Sequence, residues 1–153
     1  MRYFQNNGKT YGYDTATQQN LINDAIANGW IEVTGSWPPP PSPPSPAQLA
    51  QQAMNAGVVC AFVNYPSLDA TYSCDLTSQQ LITSTTLYTQ VNGKFPGTSG
   101  QLSWADMSGN VHVFSNTAVF GSFASNIADY VYDLNEIIIN NSGILPSNQI
   151  TID

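Results

Sequence analysis

"SWPPPPSPPSPAQ", Ser36 to Gln48, decides how the chain divides, because seven of its residues are prolines. Proline locks φ and removes the amide donor, so such a run joins neither a helix interior nor a sheet ladder. It reads as an extended polyproline spacer, and Pro38 to Pro46 covers on the order of 28 Å at about 3.1 Å per residue. Residues 1–37 are too few for a sizeable core, whereas residues 47–153 suffice for one ordinary domain. The expected organisation is therefore an N-terminal docking module (1–37), a polyproline linker (38–46) and a C-terminal domain (47–153). A stiff spacer between a small head and a larger body fits an adaptor holding one partner at each end.

Working outward, "YFQNNGKTYGYD" alternates aromatic residues around Asn6-Asn7-Gly8, a hairpin-turn signal. Asp14 or Thr15 is placed to cap a helix with Leu21, Ile22 and Ile26 on one face and Gly29 as its stop. "WIEVTGSW" resumes as a strand, which makes the head β-β-α-β. After the prolines, "SPAQLAQQAMNAG" predicts a short helix with Pro46 in its first turn. A hairpin turning between Asn64 and Asp69 follows, then a Thr-rich helix ending at Gly93 and a hairpin turning at Ser108-Gly109-Asn110. A long helix starts near Ser115 or Asn116, with Phe120, Phe123, Ile127, Tyr130, Val131, Leu134 and Ile138 at helical spacing. "GILPSNQITID" is a tail ending in a strand.

"YGYDTATQQNLI" from Tyr11 and "YSCDLTSQQLIT" from Tyr72 share Tyr, Asp and Gln-Gln at one offset, and "VHVFSNTAVFGSFA" keeps the layout without the letters. A β-β-α unit is used three times. The fold class is α+β: antiparallel β-hairpins covered by helices, preceded by the small β-β-α-β module and the Pro-rich linker.

Three basic residues against ten acidic ones leave a net charge of −7. So few cations argue against binding nucleic acid or anionic lipid. No apolar run is long enough to predict membrane insertion, and "MRYFQNNGKTYGYD" lacks the apolar core of a signal peptide. Charged residues are only 8% of the chain, against roughly 25% in typical domains. The surface is instead built from Asn, Gln, Ser and Thr, which suits either protein contact or plain solubility by excess acid.

His112 is the single histidine, and Cys60 and Cys74 are the two cysteines. That excludes a four-ligand His/Cys zinc site and most nucleophile–base pairs. Asp129, Asp133 and Glu136 recur at helical spacing away from Phe123, Ile127 and Val131, as a solvated face does. "DMSGN" after Trp104-Ala105 is too short for a calcium loop and reads as a turn. No catalytic, cofactor-binding or metal-binding residue is therefore assigned, and the chain is read as a non-enzyme. Trp30, Trp37, Trp104 and the tyrosines suit core packing better than sugar stacking.

Placing the second hairpin's turn between Pro66 and Ser67 sets Cys60 opposite Cys74 and Phe62 opposite Tyr72, within disulfide range for the cysteines. Reduced thiols, a bridge within the hairpin and a bridge between chains all remain open. In the head, Tyr3, Phe4, Tyr11, Tyr13, Trp30 and Trp37 are the candidate interface, because a piece this small needs support from another chain.

Taken in order, "YF…G…YGYD…Q…LI…GW…VT…WPPPP", "LDATYSCD…Q", "GKFPG" and "W-A-D-x-S-G-x-x-H-x-F" run nearly the whole length of the chain. This series resembles a family of small phage and prophage proteins encoded in tail regions, and its opening is similar to that of tail-fibre assembly proteins. The resemblance implies a virion component of the distal tail, made in the host cytoplasm. Such a structural protein, part of a tail fibre or baseplate, has other tail proteins or copies of itself as partners. Alternatives are a tail-fibre assembly chaperone and a glycan-binding receptor tip. No site residue carries over.

Overall fold

The computed structural model describes residues 1–33 and 42–153, in two compact units, Met1–Pro43 and Pro44–Asp153. The prediction of a polyproline spacer and the candidate Trp37 fall wholly or partly on residues 34–41, outside the described residues.

In the first unit, β1 (Arg2–Asn6) and β2 (Lys9–Tyr13) pair antiparallel across Asn7 and Gly8. Both turn residues have positive φ, as the tight turn between right-twisted strands requires. After α1 (Gln19–Ala27), β3 (Ile31–Val33) returns antiparallel to the other edge of β1, giving strand order β2-β1-β3. The start of α1 differs from expectation. Asp14 uses its carboxylate to accept the Ala16 amide in a local turn, and the helix begins only after Gln18, which makes no side-chain cap. Its end is as expected. Gly29 at positive φ donates to the Ile26 carbonyl and Trp30 to that of Ala25, the paired bonds of a Schellman stop.

The second unit opens with α2 (Pro46–Ala56), where Ser45 and Gln48 form a reciprocal capping box with proline in the first turn. Strand β4 (Val58–Phe62) then pairs antiparallel with β5 (Ala70–Tyr72), and Asp75 caps α3 (Leu76–Asn92), which stops at left-handed Gly93. Strands β6 (Leu102–Ala105) and β7 (Val111–Phe114) form a separate hairpin leading into Asn116-capped α4 (Thr117–Asn140). The final strand β8 (Gln149–Ile152) pairs with β4 in parallel, so the sheet order is β5-β4-β8. The α+β class holds, with this one mixed sheet where only antiparallel hairpins were expected. Helix α4 is the spine of the core. Its Phe120, Phe123, Ile127, Tyr130 and Leu134 pack with Phe62, Tyr72 and Ile152 of the sheet and with Phe95 and Phe114.

One register is corrected. Val58 faces Tyr72 and Cys60 faces Ala70, so Cys60 does not oppose Cys74 and Phe62 does not oppose Tyr72. The connection holds a one-turn 3-10 helix (Pro66–Leu68), and the Asp69 carboxylate, at 2.7 Å, takes the Phe62 amide that a further rung would have used. The Phe62 and Tyr72 rings still meet edge to face, 6.5 Å apart.

Candidate functional site

The strands of the first unit put successive side chains on opposite faces. Phe4 points to α1 and is fully buried with Ile22 and Ala25, while Tyr13 and Trp30 pack against them. Tyr11 and Tyr13 lie 5.0 and 6.5 Å from the Trp30 ring, and the Arg2 guanidinium stands over Phe4 while holding both Glu32 oxygens. Three of the candidate interface residues, Phe4, Tyr13 and Trp30, thus gather as the module's own core, while Tyr11 touches Trp30 but stays 40% exposed. Phe4 is closed to a partner because a three-stranded sheet under a nine-residue helix has little else to bury.

What stays open is different. Leu21 and Ile26 flank the buried stripe of α1 and are exposed. On the far face of the sheet Tyr3 lies over Gly12; a Cβ there would stand 2.7 Å from the Tyr3 ring. Beside it Ile31 is 71% exposed. Leu21 and Ile26 are apolar positions of the helical pattern left open to a partner, and Ile31 could have been found by its alternation with the inward-facing Trp30.

In the second unit, the motifs behind the resemblance do structural work. Tyr72 donates its hydroxyl to the Leu68 carbonyl, Gln79 donates to Cys74 and Asp75 caps α3. Phe95 anchors "GKFPG" by packing edge to face on Phe120. Trp104 packs on Phe120 and Phe123.

Asp106 and His112 meet across the β6–β7 turn, a pairing the separate readings of turn and strand missed. The nearly buried Asp106 carboxylate accepts from the Ser108 and Asn110 amides and the Asn110 side chain. His112 places Nδ1 2.8 Å from the Ser67 carbonyl and Nε2 3.2 Å from Asp106. A carbonyl and a carboxylate both accept, so the doubly protonated ring satisfies both contacts. The Ser67 carbonyl, with Asp106 behind it, raises the histidine pKa against the effect of burial. Asn110, then His112 and the turn amides, hold the Asp106 carboxyl down at about 2. The pair clips this hairpin onto the β4–β5 loop, and Met107 adds a backbone bond to Thr71.

Cys60 and Cys74 are buried free thiols. Burial first, then neighbouring charge, pushes them up to about 12 and about 11. Asp129, Asp133 and Glu136 are solvent-exposed on α4. Among the described residues there is no cluster of three or more His, Cys, Asp or Glu able to hold a metal, and no helix long and apolar enough to cross a membrane. Between α3 and α4 runs an open groove of about 860 Å³ whose lining includes Thr86, Leu87, Gly121, Ala128 and Tyr132 and contains no charged residue.

No protein-family model matches the chain, and neither a curated protein nor a solved structure is significantly similar to it.

Proposed function

We propose that the protein is a structural component of a bacteriophage distal tail, in the fibre or baseplate, that works by protein–protein assembly rather than by catalysis. Residues 1–37 dock on another tail protein or on a neighbouring copy. The observation that carries this reading is the balance of the first unit. Its fully enclosed core is Phe4, Ile22 and Ala25, while Leu21, Ile26 and Ile31 remain exposed. A fold of this size without disulfide or metal ordinarily gains stability from association. The ordered resemblance to tail-region proteins supplies the setting.

The test is a phage lacking codons 1–37 of this gene, with mass spectrometry of purified particles. The expected result is that the full chain is present in virions and the truncated chain is absent despite being folded in the lysate. Normal incorporation of the truncated chain would refute the adaptor. Absence of the full chain from virions that nevertheless need it for fibres would make it an assembly chaperone.

A further inference from the structure

Three asparagine–glycine pairs stand in the chain: Asn7-Gly8, Asn28-Gly29 and Asn92-Gly93. An asparagine in such a pair is open to attack by its own backbone. The glycine nitrogen, once a solvent base has taken its proton, attacks the carboxamide carbon. A C–N bond forms to close a succinimide ring, and the carboxamide nitrogen takes a proton from water and leaves as ammonia. Water then opens the ring at either carbonyl, giving aspartate or isoaspartate. Glycine favours the attack because it has no Cβ beside the nitrogen and leaves the backbone free to rotate. By pattern alone the three pairs are equal.

All six residues are exposed, so water and base reach every pair. Hydrogen bonding separates them. At the end of α1 the Asn28 carboxamide donates to the Asp24 carbonyl at 2.7 Å, and the Gly29 amide donates to the Ile26 carbonyl at 3.0 Å. At the end of α3 the Asn92 carboxamide donates to the Tyr88 carbonyl at 2.9 Å, and the Gly93 amide donates to the Thr89 carbonyl at 2.8 Å. In both pairs the group attacked and the attacking nitrogen are each tied to a helix carbonyl, and the ties must open before the two meet. At Asn7-Gly8 neither tie exists. These two residues are the whole loop between β1 and β2, whose last rung pairs Asn6 with Lys9. Among the described residues neither the Asn7 carboxamide nor the Gly8 amide has a hydrogen-bond partner, and nothing lies within 4 Å of the Gly8 Cβ direction.

We infer that Asn7 is a self-modification site, which converts to isoaspartate and aspartate in the folded chain while Asn28 and Asn92 keep their amides. Either product adds a negative charge to a chain already at −7. Isoaspartate also inserts an extra carbon into the main chain, in a tight turn that has both residues at positive φ. The first strand leaving that turn, β1, is central in its sheet, so the change falls on the hairpin that organises the first unit. The reaction runs one way and needs no enzyme. It therefore marks the age of the first unit and spares the second, and it does not depend on the tail assignment.

The test is incubation of the full chain at about pH 8.5 and 37 °C, with timed aliquots digested by trypsin and read by mass spectrometry. Cleavage after Arg2 and Lys9 releases Tyr3–Lys9, which holds only the first of the three pairs, while Thr10–Lys94 holds the other two. Conversion raises the mass by one dalton, and fragmentation assigns the gain to a residue. Asn7 should react at least about tenfold faster than Asn28 or Asn92, because two hydrogen bonds hold each of those back. In urea the three rates should converge. Native rates that do not differ overturn the proposal, as does a gain borne by Asn6 in place of Asn7. A preference for Asn7 that persists undiminished in urea also overturns it, because the cause would then be local sequence and not the fold.

Discussion

Replacing Gly57 with alanine is expected to damage the second unit far more than the same change at Gly93. Gly57 follows α2 with φ +74° and ψ −171°, a region open essentially only to glycine, so an alanine there carries strain of about 1–3 kcal/mol. A Cβ at this position would also stand 2.5 Å from the Tyr72 carbonyl oxygen and run into the Met107 sulfur. Tyr72 is paired with Val58 on β4, so its backbone is not free to give way, and overpacking adds about 1–3 kcal/mol. The sum is about 4 kcal/mol, a large part of the 5–15 kcal/mol typical of a whole domain. Gly93 is left-handed too, but nothing lies within 4 Å of its Cβ direction. Alanine there costs about 1 kcal/mol. Thermal unfolding of the full chain followed by circular dichroism should lower Tm by roughly 15 °C for Gly57→Ala and roughly 5 °C for Gly93→Ala. Equal shifts would refute the close approach of β5 to the α2–β4 junction.

His112→Gln should destabilise the chain in a pH-dependent way. The folded histidine pKa is raised, so its contribution is complete below the unfolded value of about 6.5 and lost as pH rises through the folded one; Asp106, lowered to about 2, contributes above about 4 and is lost as pH falls toward 2. The stability gap between variant and parent should therefore be widest from about pH 4 to 6.5 in urea titrations, and a gap constant up to pH 9 would dismiss the ion pair. Iodoacetamide at pH 8 should alkylate native Cys60 and Cys74 at least about 100-fold more slowly than a free cysteine, with both reacting at the ordinary rate in urea. Labelling in urea only after reduction would reveal a bridge. Phe123→Ala, which removes a ring within 6.5 Å of those of Phe62, Tyr72, Trp104, Phe114 and Phe120, should cost about 3–5 kcal/mol, while exposed Tyr132→Ala should stay within about 1 kcal/mol. The reverse order in chemical denaturation would place α4 the other way round.

Features that a few neighbouring residues decide were legible in the sequence. Asn7-Gly8, Pro46, Gly93 and Asn116 each specify a turn or a helix end by their own backbone chemistry, and all act where the sequence puts them. Features set by distant partners were not. The parallel pairing of β8 depends on β4, which no local pattern announces. The Cys60 register slipped because Asp69 replaced a backbone partner with its side chain. Asp106 and His112 were recoverable. The predicted turn at Ser108–Asn110 sets Asp106 beside Asn110, and the next residue along that face of the facing strand is His112. The groove was hidden for another reason: Leu76, Leu87 and Val91 look like core in a sequence and prove otherwise only when the helix's own burial is known.

The parallel strand also bears on how the second unit comes to be folded. Strand β4 is central, yet one of its two neighbours, β8, is synthesised only after both hairpins of this unit and helices α2, α3 and α4. Until Gln149–Ile152 arrives, the β8-side edge of β4 presents unpaired amides and carbonyls beside apolar Val58, Cys60 and Phe62. Closing so long a loop is entropically slow, and an open apolar edge is a template for pairing with other chains. Folding is therefore expected to finish late, in one step. A chain interrupted before Gln149 should form aggregates rather than a slightly weakened domain.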